Sequence, residues 1–521
     1  MQHIETVIIS LLVAVVVLSA AATRIGVPYP ILLVLGGLVL GFIPGVPDVR
    51  LQPELVLVVF LPPLLYSGAF FASLRDLRAD ARTISLMATG LVVATAVAVA
   101  VVVHLCVHGL PWAACFALGA IVAPTDPVAA TTIGRRLGIP RRTLNTLEGE
   151  SLVNDASALV LYKIAIGAFG GAAFSVVHAG LQFVLAAAGG VAIGLVVARI
   201  IAEVRRRLDD PPVEITVSLL SGYAAYVPAD KLGASGVVAA VTTGIAIGWW
   251  APSIASPLVR QQGFALWELL TFLLNALLFV LIGLQLPSIL DGLRSEPTGW
   301  LIATAAAVSA VVIVTRIAWV FGTTVVIRTL DRRESQRARR APWQMRMVAA
   351  WAGMRGAVSL AAALALPPDT PRRDLLLFLT YAVILATLVL QGLTLPVLIR
   401  RLDVRDDGMA DREELKARLV AAQAALQRLD ELADADWTRD DTIERMRGLY
   451  DYRRRRFKAQ AGKIDDDGYE DRSGAYQRLV REVLEAQREA VVGLRNDGRI
   501  SNEIMHRIER ELDLEDQRLE I

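Results

Sequence analysis

Between Ile4 and Arg400 the chain is a succession of apolar runs of roughly 18 to 25 residues, each long enough to cross a hydrocarbon core of roughly 30 Å. Hydrocarbon offers no partner to backbone N–H and C=O groups, so a chain crossing it must pair them internally, as a helix or a closed barrel. Runs of this length belong to helices. Their breaks give about 13 spans, at roughly 5–23, 28–46, 53–72, 83–106, 112–134, 147–169, 176–203, 213–228, 233–250, 264–289, 299–327, 347–366 and 374–399. The fold class is therefore all-α polytopic membrane protein, and 55% hydrophobic residues over 521 positions fit no other class. The first run, Ile8 to Ala22, follows a stretch that holds Glu5 and neither Lys nor Arg. It reads as the first span and not as a signal peptide, whose n-region is positive.

The net charge of +2 carries no nucleic-acid signal, because the charges are segregated along the chain. Alternate loops hold Arg24; Arg75, Arg78 and Arg82; Arg135, Arg136, Arg141 and Arg142; Arg205 to Arg207; Arg260; and the dense stretch from Arg328 to Arg346. The other loops hold only Arg50, Lys231, Arg294, Arg372 and Arg373. Basic loops stay in the cytoplasm. The expected topology is thus an outside N-terminus and a cytoplasmic C-terminus in a multi-pass plasma-membrane protein. Trp249, Trp250 and Trp300 read as interfacial residues. The two cysteines, Cys106 and Cys115, have no zinc or disulfide spacing.

At Asp403 the composition turns polar and charged, which divides the chain into a membrane domain, 1–402, and a cytoplasmic helical extension, 403–521, expected to be regulatory. Leu415, Leu419, Ala422, Leu426 and Leu429 advance by steps of four and three, a stripe that suits local helix packing or a dimeric coiled coil. Arg453 to Arg456 form a basic run, read as a solvated face. A second helical stretch covers about 475–494, and Asn496-Asp497-Gly498 signals a turn before a third.

An ionisable group inside a span costs on the order of 2.5–3.5 kcal/mol on insertion scales, so each one requires a reason. Asp126, Glu150 and Asp155 lie in spans 5 and 6. Span 5 contains Ala123-Pro124-Thr125-Asp126-Pro127, where two prolines disrupt the backbone ladder around an acid. Freed carbonyls beside a carboxylate make an oxygen-rich place for a hard cation; a simple kink with a solvent-facing acid is the plainer reading. Span 12 contains Gly353-Met354-Arg355-Gly356, glycines around a charge. Interrupted spans in corresponding positions of two halves point to an inverted-repeat transporter with its site at the midplane. Spans 1–6 and 8–13 would be the repeats. In span 6, Ser151 and Asp155 are four residues apart and share a helix face, while Glu150 points elsewhere. Asp155 is thus expected to face an ion path and Glu150 to pair with a buried base, either Arg316 or Arg355. His104 and His108, four apart, lack a third metal ligand, and Lys163 reads as a snorkelling or ion-paired residue.

Five stretches in order, Phe60-Leu61-Pro62-Pro63-Leu64-Leu65-Tyr66, Pro124 to Ala129, Gly149 to Asp155, Asn275 to Gly283 and Gly353 to Ala357, resemble the electroneutral cation–proton antiporters, the NhaP/NHE-type sodium/proton exchangers, and the bacterial YjcE-like members most. The resemblance spans about residues 1–400. It implies a 13-helix antiporter fold with interrupted helices 5 and 12, a dimerisation domain, a moving core, a homodimer and alternating access. It implies that Asp155 carries sodium and proton in turn, that Thr125, Asp126 and Ser151 help bind the cation, that Asn154 stands where electrogenic relatives have a second acid, that Glu150 with Arg316 is a structural ion pair, and that Arg355 lies at the crossing. One departure stands out: Ser67 occupies a position where many exchangers have an acid. No cofactor is expected beyond the transported sodium and proton, and the expected surroundings are the lipid bilayer. Potassium/proton exchange is the nearest rival. An intramembrane aspartyl protease built on Asp126 and Asp155 lacks a Gly-x-Gly-Asp context. A channel or sensor is the third reading.

Overall fold

Backbone pairing within each segment shapes the whole membrane unit, which is helical from one end to the other among its described residues. The computed structural model describes residues 2–43, 56–170, 176–294, 296–330, 341–465 and 468–519. The chain divides into two compact units, Met1–Asp406 and Asp407–Ile521.

In the first unit α1 is Gln2–Ile25, α2 Tyr29–Gly41, α3 Leu61–Phe71, α4 Ala81–Cys106, α5 Trp112–Val122, α6 Val128–Arg136, α7 Arg141–Gly167 and α8 Val176–Arg206. There follow α9 Pro211–Lys231, α10 Gly236–Ile254, α11 Pro257–Leu284, α12 Thr298–Leu330, α13 Trp343–Trp351, α14 Ala357–Leu364 and α15 Arg373–Arg401. Among the described residues, six helices are long and apolar enough to cross a membrane: α4, α8 from Gly180, α10, α11 running on to Asp291, α12 to Ile327, and α15. Shorter apolar helices occur at Ile9–Ile25, Tyr29–Gly41, Val58–Phe71 and Trp112–Val122. Arg50 and positions 331–340 of the basic stretch lie outside the described residues.

The spans expected at 112–134 and 347–366 are each two short helices with a non-helical break between them, at 123–127 and 352–356. Three π-turns among the described residues, Val56–Phe60 before α3, Leu86–Gly90 in α4 and Thr387–Gln391 in α15, had no sequence signal, because a π-turn leaves the apolar composition of a span unchanged.

Between helices in lipid the hydrophobic effect is weak, and close van der Waals packing on small residues takes its place. The contact of α2 with α11 illustrates this. A Cβ on Gly37 would strike the Val280 carbonyl, and one on Gly283 would strike the backbone of Val34 and Leu38. Ile31, Val34, Phe279 and Val280 are buried around the contact. Elsewhere Leu61, Leu65 and Ala69 of α3 pack with Leu152 and Ala156 of α7, the residues flanking Asp155.

The second unit is built of α16 Met409–Leu432, α17 Asp440–Gln460, α18 Tyr469–Asn496 and α19 Asn502–Leu519. The Leu415–Leu429 stripe is the covered face of α16, with Ala422 buried, and α16 packs against α17 through Phe457, over which Arg418 lies at 5.9 Å. The stripe thus serves a hairpin within the chain. The segment read only as a basic run is itself a helix, α17, held by buried Ile443 and Phe457. Of the arginines in the run only Arg455 is exposed, meeting Asp451 at 2.8 Å; Arg453, Arg454 and Arg456 are half-buried, with Arg453 over the Tyr450 ring at 5.6 Å, so the run is not simply a solvated face. Gly498, with φ of 70°, makes the turn after α18, and Arg488 ties α18 to Asp513 at 2.9 Å and Asp516 at 3.3 Å on α19.

The glycine contact predicts that Gly283→Leu forces α2 and α11 apart. The expected cost is about 1–3 kcal/mol, typical of overpacking a filled interior. A fall in the thermal unfolding temperature of the purified protein checks it, and an unchanged temperature would show that the two backbones do not meet there.

Candidate functional site

Pro124 and Pro127 end α5 and start α6, and the Gly353 to Gly356 stretch separates α13 from α14. The two breaks meet. The Asp126 N–H donates to the Met354 carbonyl at 2.8 Å. Arg355 donates from Nε to the Val122 carbonyl at 3.0 Å and from Nη1 to the Gly353 carbonyl, while its own N–H donates to Thr387 Oγ1 at 3.1 Å. The carbonyls freed by the breaks are therefore turned toward a guanidinium. Helix C-termini carry partial negative charge and N-termini partial positive charge. Arg355 lies against the last carbonyls of α5, and Asp126 lies at the N-termini of α6 and α14. Its Oδ1 accepts the Val128 N–H at 2.9 Å, and a Cβ on Gly356 would collide with its carboxylate. Only glycine at 356 lets the chain pass that close.

Glu150 and Arg316 are both fully buried and joined in a two-pronged ion pair, with Arg316 Nη2 to Glu150 Oε2 at 2.9 Å and Nη1 on Oε1. Of the two bases considered for Glu150, the one it binds is Arg316; Arg355 gives its Nε and Nη1 to carbonyls, and its buried Nη2 has no hydrogen-bond partner. Arg316 also donates from Nη2 to the Ala349 carbonyl in the last turn of α13 at 3.0 Å. A Cβ on Gly353 would run into the Arg316 side chain, which explains the first of the paired glycines.

From Glu150 a line of hydrogen bonds reaches the neighbourhood of Asp155. Thr125 Oγ1 donates to Glu150 Oε1 at 3.2 Å and accepts from Asn154 Nδ2 at 2.8 Å. A hydroxyl has a single proton, so giving it to Glu150 obliges Thr125 to accept from Asn154, which fixes the amide's orientation. Asn154 Oδ1 is left buried without a hydrogen-bond partner. Thr125, expected among the cation ligands, has its hydroxyl engaged in this line. Asp155 is 7% exposed, next to Asn154 on α7 and one turn beyond Ser151, which is 8% exposed. Among the described residues no hydrogen bond or ion pair engages Asp155, though Asp126 is near enough to act on its charge. No hydrogen bond joins the carboxyl groups of Asp126 and Asp155 among the described residues.

Tyr29, at the start of α2, also lies within the field of Asp126. Sequence reading passed over it because a lone tyrosine at a span end carries no periodic or motif signal. Ser67 is buried and donates to the Leu64 carbonyl of its own helix at 3.0 Å. Among the described residues no three acids, histidines or cysteines cluster as a metal site. His104 stacks on Trp112 at 4.1 Å, and Lys163 meets Asp230 at 3.2 Å on an exposed face.

The transmembrane sodium/hydrogen exchanger family matches residues 8–401. An uncharacterized sodium/proton exchanger of Mycobacterium tuberculosis is 38% identical, with 98% of this chain and 96% of the relative covered. The uncharacterized sodium/proton exchanger YjcE of Escherichia coli is 31% identical, with 97% of each covered. The solved sodium proton antiporter MjNhaP1 of Methanocaldococcus jannaschii has the same fold, with a TM-score of 0.61 at 20% identity over 77% of this chain and 99% of that one.

Removing one partner of a buried ion pair strands the other charge, which costs about 3–5 kcal/mol. Glu150→Gln and Arg316→Gln are each expected to lose that much stability, and the double variant much less than the two losses combined. Thermal or denaturant unfolding of the three variants checks this, and strictly additive losses would show the two residues to be uncoupled.

Proposed function

The chain belongs to the sodium/hydrogen exchanger family, and we propose that it exchanges sodium for protons by alternating access, with Asp155 carrying each ion in turn. One observation supports this assignment above the others: of the three carboxylates at the crossing, Asp155 alone is unengaged. Glu150 is bound to Arg316, and Asp126 accepts the Val128 N–H at the half-helix termini.

An uncompensated carboxylate in hydrocarbon is costly, so it binds whichever cation reaches it, a proton or sodium. It does not hold both. Sodium takes oxygen ligands from the Asp155 carboxylate, from Ser151 on the same face, from Asp126, and from Asn154 Oδ1, whose lone pairs are free. Thr125 keeps Asn154 oriented and links it to the Glu150–Arg316 pair. The core crosses when loaded and not when Asp155 is bare, which makes the exchange obligatory. Asn154 does not titrate, so one carboxylate gives one proton per sodium.

The protein lies in the plasma membrane with its N-terminus outside, the orientation its arginine-rich loops favour. It works as a homodimer in which one part of each membrane unit stays fixed while the core moves. The membrane unit transports, and the polar unit 407–521, which has no apolar helix of spanning length among its described residues, regulates.

Asp155→Asn is expected to fold, insert and lose sodium-driven proton flux in proteoliposomes entirely. Flux at the level of the unaltered protein would place the carrier elsewhere.

A net charge moved per cycle would couple exchange to about 2.3 kcal/mol per 100 mV of membrane potential. Exchange is expected to ignore a potential clamped with potassium and valinomycin and to give no steady-state current on solid-supported membranes. A sustained current would show two protons per sodium and a second titrating acid, Asp126.

A further inference from the structure

Away from the crossing, a second buried arginine is only partly compensated. Arg205, in the last turn of α8, is 4% exposed, and both its Nε and its Nη2 donate to the same oxygen of buried Glu214 in the first turn of α9, at 3.0 and 2.8 Å. Its Nη1 is buried and without a partner. A buried N–H of a charged group left unpaired is unfavourable, so Nη1 is a donor suited to a ligand oxygen.

That guanidinium lines a narrow cleft of about 20 Å³ between the ends of α8, α9, α10 and α11. Arg260 at its rim is half-buried and donates from Nη1 to the Ala255 carbonyl at 2.7 Å. Ser218, on the cleft wall, has its oxygen occupied as acceptor by Trp267 Nε1 at 3.1 Å, which directs its proton elsewhere. The lining holds two guanidinium groups and no acid; Glu214 balances one of them from behind, and nearby Glu203 is taken up by Arg206 and Arg207. The cleft therefore carries one surplus positive charge. Phe70, Phe264 and Trp267 supply apolar walls, and Phe264 is 47% exposed.

We propose that this cleft binds the phosphodiester of an anionic membrane phospholipid. The enclosed volume admits about one oxygen atom, so a single non-bridging phosphate oxygen enters and accepts from Arg205 Nη1. The other meets Arg260, since a guanidinium suits phosphate oxygens in geometry and charge. The headgroup stays at the mouth, and the acyl chains lie along Phe264. A free phosphate ion would have to give up its water to enter, whereas a lipid already presents its phosphodiester at the end of an apolar body. Basic pockets between the ends of membrane helices are suited to this. The site is independent of ion exchange, since none of its residues belongs to the crossing.

Native mass spectrometry and thermal unfolding of the full chain in detergent, stripped of lipid and given dioleoyl phosphatidylglycerol, test the assignment. Diacylglycerol with the same chains and inorganic phosphate are the controls. The expected result is retained phosphatidylglycerol and a raised unfolding temperature, with neither effect from either control. Arg260→Gln is expected to weaken retention about fivefold, the weight of one basic residue beside an anionic lipid. Arg205→Lys, which keeps a charge for Glu214 and removes the Nη1 donor, weakens it too and guards against a variant that merely fails to fold. Equal retention by the unaltered protein and Arg260→Gln overturns the site. Binding of diacylglycerol would make it an apolar groove, and stabilisation by inorganic phosphate alone would make it an ion site open to water; either overturns the lipid assignment.

Discussion

No helix can be broken inside a bilayer unless something else meets the polar groups the break sets free. Here two broken helices do this for each other. Asp126 N–H binds the Met354 carbonyl, and Arg355 gathers the carbonyls of Val122 and Gly353. The breaks also leave four half-helix ends close together. The negative ends face arginines and the positive ends an aspartate, so the half-helix ends are compensated before any ion arrives. The rest of the membrane unit holds these two breaks in register.

The balance at the crossing has a consequence for chemistry. Arg355 and Asp126 are matched to helix ends, and Glu150 is matched to Arg316. The surplus falls on Asp155. An unmatched charge in hydrocarbon is what gives a transported ion its hold on the protein, and the matched ones keep it from being shared out. Thr125 contributes by donating its one hydroxyl hydrogen bond to Glu150, which orients Asn154 and leaves that amide's oxygen unused. Arg205 with Glu214 shows the same physics at a helix end: the pair satisfies most of the guanidinium, and the remaining N–H defines a place for a ligand.

Much of this was legible in the chain itself. Apolar runs of spanning length left the α-helix as the natural element for 1–402, and prolines beside Asp126 with glycines beside Arg355 located both interruptions, because these residues act on their own backbone. The four-residue step from Ser151 to Asp155 placed the two on one face for the same local reason. Where an apolar stripe had two readings, as from Leu415 to Leu429, the chain alone could not choose. A stripe records that a face is covered and not by what, and α17 covers it.

By itself the sequence determined that the chain crosses the membrane as helices, where two of them break, and which carboxylates the membrane surrounds. Only the tertiary structure decided how those charges are shared. Glu150 and Arg316 stand 166 residues apart, and the competing candidate, Arg355, turns its Nε and Nη1 to the Val122 and Gly353 carbonyls instead. Local pattern reports burial, which each residue experiences through its own helix. Pairing depends on which helices come together and at what height, and that is set by contacts such as Gly37 against α11, where nothing larger than hydrogen fits.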